Sequence, residues 1–147
     1  MLLIPLWEAP EDKTPPPWRL YSIADDNKEC PIVASLILLL KDAKYAAHAE
    51  ALVALISTLC WHERGPKLYH GNLAVCHESV YGEQIFGFRK GPLRLHWFYG
   101  VDKQVVICST LEVKCTAKTP KKVAKKLIAA RDAYHAAHLA QILSEKL

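Results

Sequence analysis

Between Ile85 and Arg131 the chain carries eleven Lys or Arg residues (89, 90, 94, 103, 114, 118, 121, 122, 125, 126 and 131) against Asp102 and Glu112 alone, a local net charge of +9. Residues 1–84 hold seven basic and eleven acidic side chains, or −4, and residues 132–147 hold one against two, or −1. The net charge of +4 for the whole chain therefore hides a polarised molecule. Clustered Lys and Arg neutralise phosphates and release their counterions, so this asymmetry points to a polyanionic partner, nucleic acid foremost. A solvated helix face is the plainer account of a lysine run. His96, two residues after Arg94, is placed by the period of a strand on the same face as that arginine, and it titrates near neutrality, so it could serve as acid or base. Tyr99 and Trp97 offer aromatic planes on which a base could stack, with core packing the plainer reading for each. Arg94 also has a structural reading, an ion pair with Glu83 or Glu112, because an arginine in an apolar strand needs an anion.

Other constellations are weaker. Cys60, His62, His70, Cys76 and His77 are soft ligands, but their spacing matches no zinc pattern, and scattered core cysteines and surface histidines account for them. His135 and His138 lie one helical turn apart and could share a ligand, though a solvated face explains them as well. Ser57 and Thr58 lack a nucleophile-elbow setting, and no glycine-rich loop is present to cradle a nucleotide phosphate. Cys115, among lysines, could be a thiol of lowered pKa, whereas Cys108 in an apolar strand should be inert.

The elements that must position these residues follow from periodicity and punctuation. Residues 1–17 contain Pro5, Pro10, Pro15, Pro16 and Pro17, which resist helix and strand interiors and predict an extended arm or packed lead-in. Residues 18–147 are read as one domain. Trp18–Ala24 alternates as a strand and is broken by Asp25-Asp26-Asn27. Pro31 suits the first turn of a helix to about Asp42, and a second helix from about Tyr45 to His62 carries Leu52, Leu55, Ile56 and Leu59 on one face, ending near Gly65-Pro66. After a poorly patterned stretch, Gln84–Arg89, Leu93–Tyr99 and Gln104–Glu112 read as strands with hairpin-length connections. Thr119 and Pro120 suit the cap and first position of a final helix whose Val123, Leu127, Ala130, Tyr134 and Ala137 share one arc while Lys121, Lys122, Lys125 and Lys126 occupy the next. The longest apolar run, Pro31–Leu40, is about half of a membrane span. The opening residues lack a basic leader, and five cysteines at irregular spacings do not suggest a disulfide framework, so a reducing cytoplasm is the expected location, with no membrane partner.

Four strings now combine: Ile85-Phe86-Gly87-Phe88-Arg89, Arg94-Leu95-His96-Trp97-Phe98-Tyr99, Val105-Val106-Ile107-Cys108, and Val113-Lys114-Cys115-Thr116-Ala117-Lys118-Thr119-Pro120-Lys121-Lys122. In this order they resemble the RelE/HigB toxin superfamily, including its phage-derived HigB-like branch, and Arg64-Gly65-Pro66 resembles that family's glycine-proline after the second helix. The resemblance covers about residues 18–135. It implies an α+β fold in which an N-terminal strand and a helical hairpin pack on a small antiparallel sheet followed by a C-terminal helix. It further implies a toxin of a type II toxin–antitoxin pair, acting on mRNA, usually at the ribosome, and restrained by a cognate antitoxin. The chemistry so implied is attack of a ribose 2′-hydroxyl on the neighbouring phosphate, without metal or other cofactor. Arg89 and Arg94 then match the arginines that bind or polarise the phosphate, Lys114 and Lys118 match lysines of the turn before the last helix and are the next catalytic candidates, and Lys121, Lys122 and Lys125 are expected on the RNA backbone, with Tyr99 stacked on a base. Three departures stand out: Gly87 where an acidic residue is common, Leu111-Glu112 in place of an apolar or glycine-aromatic pair, and Cys115 in place of a second lysine. The same scaffold also includes toxins that poison DNA gyrase, so the alternative expectation is a non-catalytic nucleic-acid- or protein-binding module, or a gyrase-targeting toxin.

Overall fold

A computed structural model describes residues 1–8, 14–114 and 119–146, with side chains through His138. Among these residues, six strands form one mixed sheet in the order β1-β2-β6-β5-β4-β3, flanked by helices on both faces. The strands are β1 Leu3–Pro5, β2 Arg19–Ile23, β3 Cys76–Val80, β4 Ile85–Lys90, β5 Leu93–Tyr99 and β6 Val105–Val113. The helices are α1 Pro31–Leu40, α2 Ala46–Trp61 and α3 Lys121–Lys146.

The expected antiparallel sheet needs a correction. Neighbouring strands are antiparallel except β2 and β6, which run parallel, with Arg19 opposite Val105 and Ser22 opposite Cys108. That pairing is long-range: the α1–α2 hairpin and the β3–β4–β5 meander intervene, so no local turn signal could announce it. The proline-rich arm is also part of the sheet. Leu3 pairs with Ile23 and Pro5 with Tyr21, a three-residue edge strand that tolerates proline because its outer side needs no donor.

The α1–α2 hairpin covers one face of the sheet. Pro31 opens α1 where its missing donor costs nothing, and Ile32 and Leu36, one turn apart, point into the core. From α2, Ala49, Leu52, Ile56 and Leu59 recur every three or four residues and are buried against Leu93, Leu95, Trp97, Val106 and Cys108. Trp18 closes the far end of this core, donating its indole N–H to the Glu63 carbonyl at 2.9 Å. Gly65, in the 3₁₀ turn Gly65–Tyr69, lies directly on that indole with φ of +52°. A side chain there would overlap the Trp18 ring and adopt a left-handed backbone that only glycine enters freely.

The opposite face is shared between apolar and polar residues. α3 docks on it through Tyr134, which packs with Phe98 and Ile107 and accepts a hydrogen bond from the Val101 amide at 3.1 Å. Arg131 ties the helix to the β3–β4 turn through the Glu83 carboxylate at 2.9 Å. The rest of this face carries the side chains with chemical potential.

Candidate functional site

β5 supplies the axis of the site. Alternation along it sends Leu93, Leu95, Trp97 and Tyr99 into the helical-hairpin core and Arg94, His96 and Phe98 to the other face. Arg89 stands opposite Arg94 across the β4–β5 ladder, and Gly87 opposite His96. His77, on the outer strand β3, stands opposite Gly87.

Two β-bulges complete the arrangement. In β6 the register shifts between His96 and Trp97, which pair with Thr110 and Cys108, leaving Ser109 as the extra residue. Strict alternation from Val106 and Cys108 would send Glu112 under the helices. The bulge reverses the parity and sets Glu112 opposite Arg94, on the polar face. A second irregularity, between Glu78 and Val80 in β3, brings Ser79 over the same surface as His77.

The result is a hydrogen-bonded chain through the sheet. The Ser79 hydroxyl lies 2.7 Å from His96 Nδ1, and His96 Nε2 lies 3.0 Å from Glu112 Oε1. A carboxylate only accepts, so the ring proton is on Nε2, and Nδ1 accepts from Ser79. Burial, the largest influence, lowers the His96 pKa against the opposing pull of Glu112, so the ring is held neutral. His96 is 0 % exposed with both nitrogens engaged. This corrects its expected role as acid or base: a ring that cannot reach a ligand can position Ser79 and Glu112 but cannot exchange protons with RNA.

Around this chain lies a cluster of two arginines, a lysine and an imidazole. Arg94 is buried and donates to the carbonyls of Gly91 and Leu93, yet its Nε has no hydrogen-bond partner, nor does the buried Nε of Arg89. Burial and the neighbouring Arg89 lower the Arg94 pKa, partly offset by Glu112. Lys114, just beyond β6, has its pKa lowered, first by burial and also by both arginines. His77 carries two more orphaned nitrogens. Its pKa is pushed down to about 4, by burial first and then by Arg89, Arg94, Lys114 and His96. Of the five buried side-chain polar atoms without partners among the described residues, four belong to His77, Arg89 and Arg94, the fifth being the Trp97 indole nitrogen in the core.

Gly87 makes the cluster sterically possible. A Cβ at this position would come within 2.8 Å of Ser79 Oγ and 2.9 Å of His77 Cε1. The unusual glycine thus leaves room for two side chains from the neighbouring strand to lie over β4, a close approach that glycine alone permits.

The remaining expected residues divide as follows. Arg89, Arg94 and Lys114 come together; Lys118 and Cys115 lie outside the described residues. Lys121, Lys122 and Lys125 are exposed on α3, as the helical period requires. Tyr99 is not on this face. Trp97 and Tyr99, two apart, share the hairpin side, where Tyr99 packs edge-on to Trp97 at 5.0 Å and near Trp18 at 6.2 Å, so its placement on RNA is corrected to a core role. Arg94 does not pair with Glu83, which Arg131 takes. Sequence reasoning weighed His77 only as a metal ligand and missed Ser79, because β3 lies in the stretch without clear alternation, its pattern broken by the bulge.

Among the described residues, no group of three or more His, Cys, Asp or Glu side chains is placed to hold a metal ion. Cys60 and Cys76 have thiol pKa values raised by burial to about 11, and Cys108 is raised further, so all three are protonated. Among the described residues, no helix is long and apolar enough to cross a membrane. No protein-family model and no curated protein matches this sequence.

Proposed function

We propose that the chain is a metal-independent endoribonuclease of the RelE/HigB type, a cytoplasmic toxin that cuts mRNA, at the ribosome, and is held in check by a cognate antitoxin. The observation that carries this reading is the convergence of Arg89, Arg94 and Lys114 around His77 on one face of the sheet. Three like charges held close together repel one another, so the face that keeps them is complementary to an anion rich in hydrogen-bond acceptors. A phosphodiester provides such acceptors and charge together. Arg89 and Arg94 would bind its non-bridging oxygens, and the negative charge growing there during in-line attack would be stabilised by cations already fixed in place. Lys121, Lys122 and Lys125 would follow the flanking backbone.

A specific feature favours a second reading. Glu112 puts a carboxylate within the cationic face, and a module that binds an acidic protein or nucleic acid without cutting it would tolerate this better than a nuclease. Induced expression in a bacterium separates the two. The nuclease predicts growth arrest with new transcript 5′ ends, lost in Arg94→Ala and in Lys114→Ala by at least a hundredfold in cleavage. Normal growth with intact transcripts, despite accumulation of folded protein, supports the binding module.

A further inference from the structure

Given the ribonuclease reading, on which this assignment rests, we propose that Glu112 is the base that takes the proton from the attacking ribose 2′-hydroxyl. The same carboxylate that favours a non-cutting module acquires a role if it meets the sugar and not the phosphate. Arg89, Arg94 and Glu112 stand opposite one another in a single row across β4, β5 and β6, so their side chains share the polar face. Neighbouring strands lie about 4.8 Å apart, which sets Glu112 one strand from the Arg94 that would hold the phosphate, on the side away from Arg89. A ribose carries its 2′-hydroxyl beside the phosphate it attacks, so a base is needed one short step from the phosphate-binding cations. Glu112 also meets the condition that His96 fails. Its side chain is 20 % exposed, against 0 % for that histidine. The 3.0 Å bond to His96 engages Oε1, and among the described residues no donor is bonded to Oε2. No atom of Glu112 is among the buried polar atoms without partners, so Oε2 is open to a ligand. One oxygen is thus anchored from inside the sheet, through His96 and its 2.7 Å contact with Ser79, and the other is free to act.

In the step assigned to it, Glu112 Oε2 accepts the 2′-hydroxyl proton as the 2′ oxygen bonds to phosphorus. The bond from phosphorus to the 5′ oxygen breaks, and that oxygen takes a proton from water. The products are a 2′,3′-cyclic phosphate and a 5′-hydroxyl, the Glu112 proton returns to solvent, and no electrons are gained or lost. Arg89 and Arg94 stabilise the charge that grows on the phosphate, while the neutral His96 keeps the carboxylate oriented by donating its Nε2 proton to Oε1.

The test follows cleavage of a reporter mRNA, free and on programmed ribosomes, by wild type and Glu112→Gln, with affinity for an uncleavable 2′-O-methyl RNA measured in parallel. Glutamine keeps the size of the side chain and an oxygen to accept from His96, so it removes the base and spares the structural bond. Expected is a loss of about a hundredfold or more in kcat, with RNA affinity unchanged or tighter because a negative charge has left a cationic face. Variant cleavage within threefold of wild type overturns the assignment while leaving the nuclease reading intact. Cleavage and affinity that fall together, with a lowered Tm, also overturn it, since Glu112 then acts only in the structure. A wild-type protein that cuts neither form of the RNA overturns the nuclease reading itself and this assignment with it. Should Glu112→Gln not fold, Glu112→Asp keeps the charge but shortens the reach by one methylene. A loss of about tenfold or more in kcat with unchanged affinity is then expected, and full activity rejects the proposal.

Discussion

The clearest physical consequence of the site is a loss of stability in mild acid that His77→Gln should partly remove. His77 is held neutral in the folded protein, with its pKa lowered from 6.5 to about 4, and in the unfolded chain it returns to the higher value. As pH falls through 6.5 the unfolded chain binds the proton first, so its stabilising effect is complete above about 6.5 and lost between there and about 4. The full shift corresponds to about 3 kcal/mol, of which about 2 kcal/mol is gone by pH 5. The residue as a whole is only partly buried, and solvent screening reduces the expected loss at pH 5 to about 1 kcal/mol. Urea unfolding followed by tryptophan fluorescence, at pH 7.5 and pH 5.0, measures this directly for wild type and His77→Gln. Protonation of the carboxylates affects both proteins alike and cancels in the difference. Wild type should lose about 1 kcal/mol more than the variant with equal m-values. Equal losses would refute the argument that burial and three neighbouring cations suppress protonation of this histidine.

Two further outcomes follow from the packing and from the charge on α3. Gly65→Ala forces a left-handed backbone on alanine and displaces the Trp18 indole, so thermal unfolding should show a loss of about 2–4 kcal/mol and a Tm lower by roughly 5–15 °C; a drop under about 2 °C would show that the turn relaxes freely. Replacing Lys121, Lys122 or Lys125 singly by Ala should weaken single-stranded RNA binding and lower the slope of log K against log salt by about 0.7 each, measured by fluorescence anisotropy, and an unchanged slope would place that lysine off the RNA.

Local chemistry made much of this protein legible. The alternation of β5 placed Arg94 and His96 on one face, the apolar repeat of α2 marked its buried side, and Pro31 and Pro120 marked helix starts, because each signal depends on residues a few positions apart. The expected strands agree with β4, β5 and β6 to within a residue at each end. Charge polarity was likewise readable by counting.

What tertiary structure alone decided depends on strand register and on contacts between distant segments. The parallel β2–β6 pair joins residues separated by most of the chain, and no periodicity encodes such a partner. The same pattern that correctly grouped Arg94 with His96 could not say that His96 would be sealed between Ser79 and Glu112, 17 residues before it and 16 after it. That outcome requires two bulges. Because side chains alternate with a period of two, one inserted residue moves everything beyond it to the other face, and this turned Glu112 from the core side to the polar side. Gly87, read in sequence as a departure, gained its meaning only when His77 and Ser79 were found lying over it. Composition and periodicity thus determined which residues carry charge and which strands carry them, while cross-strand register decided which of those side chains meet.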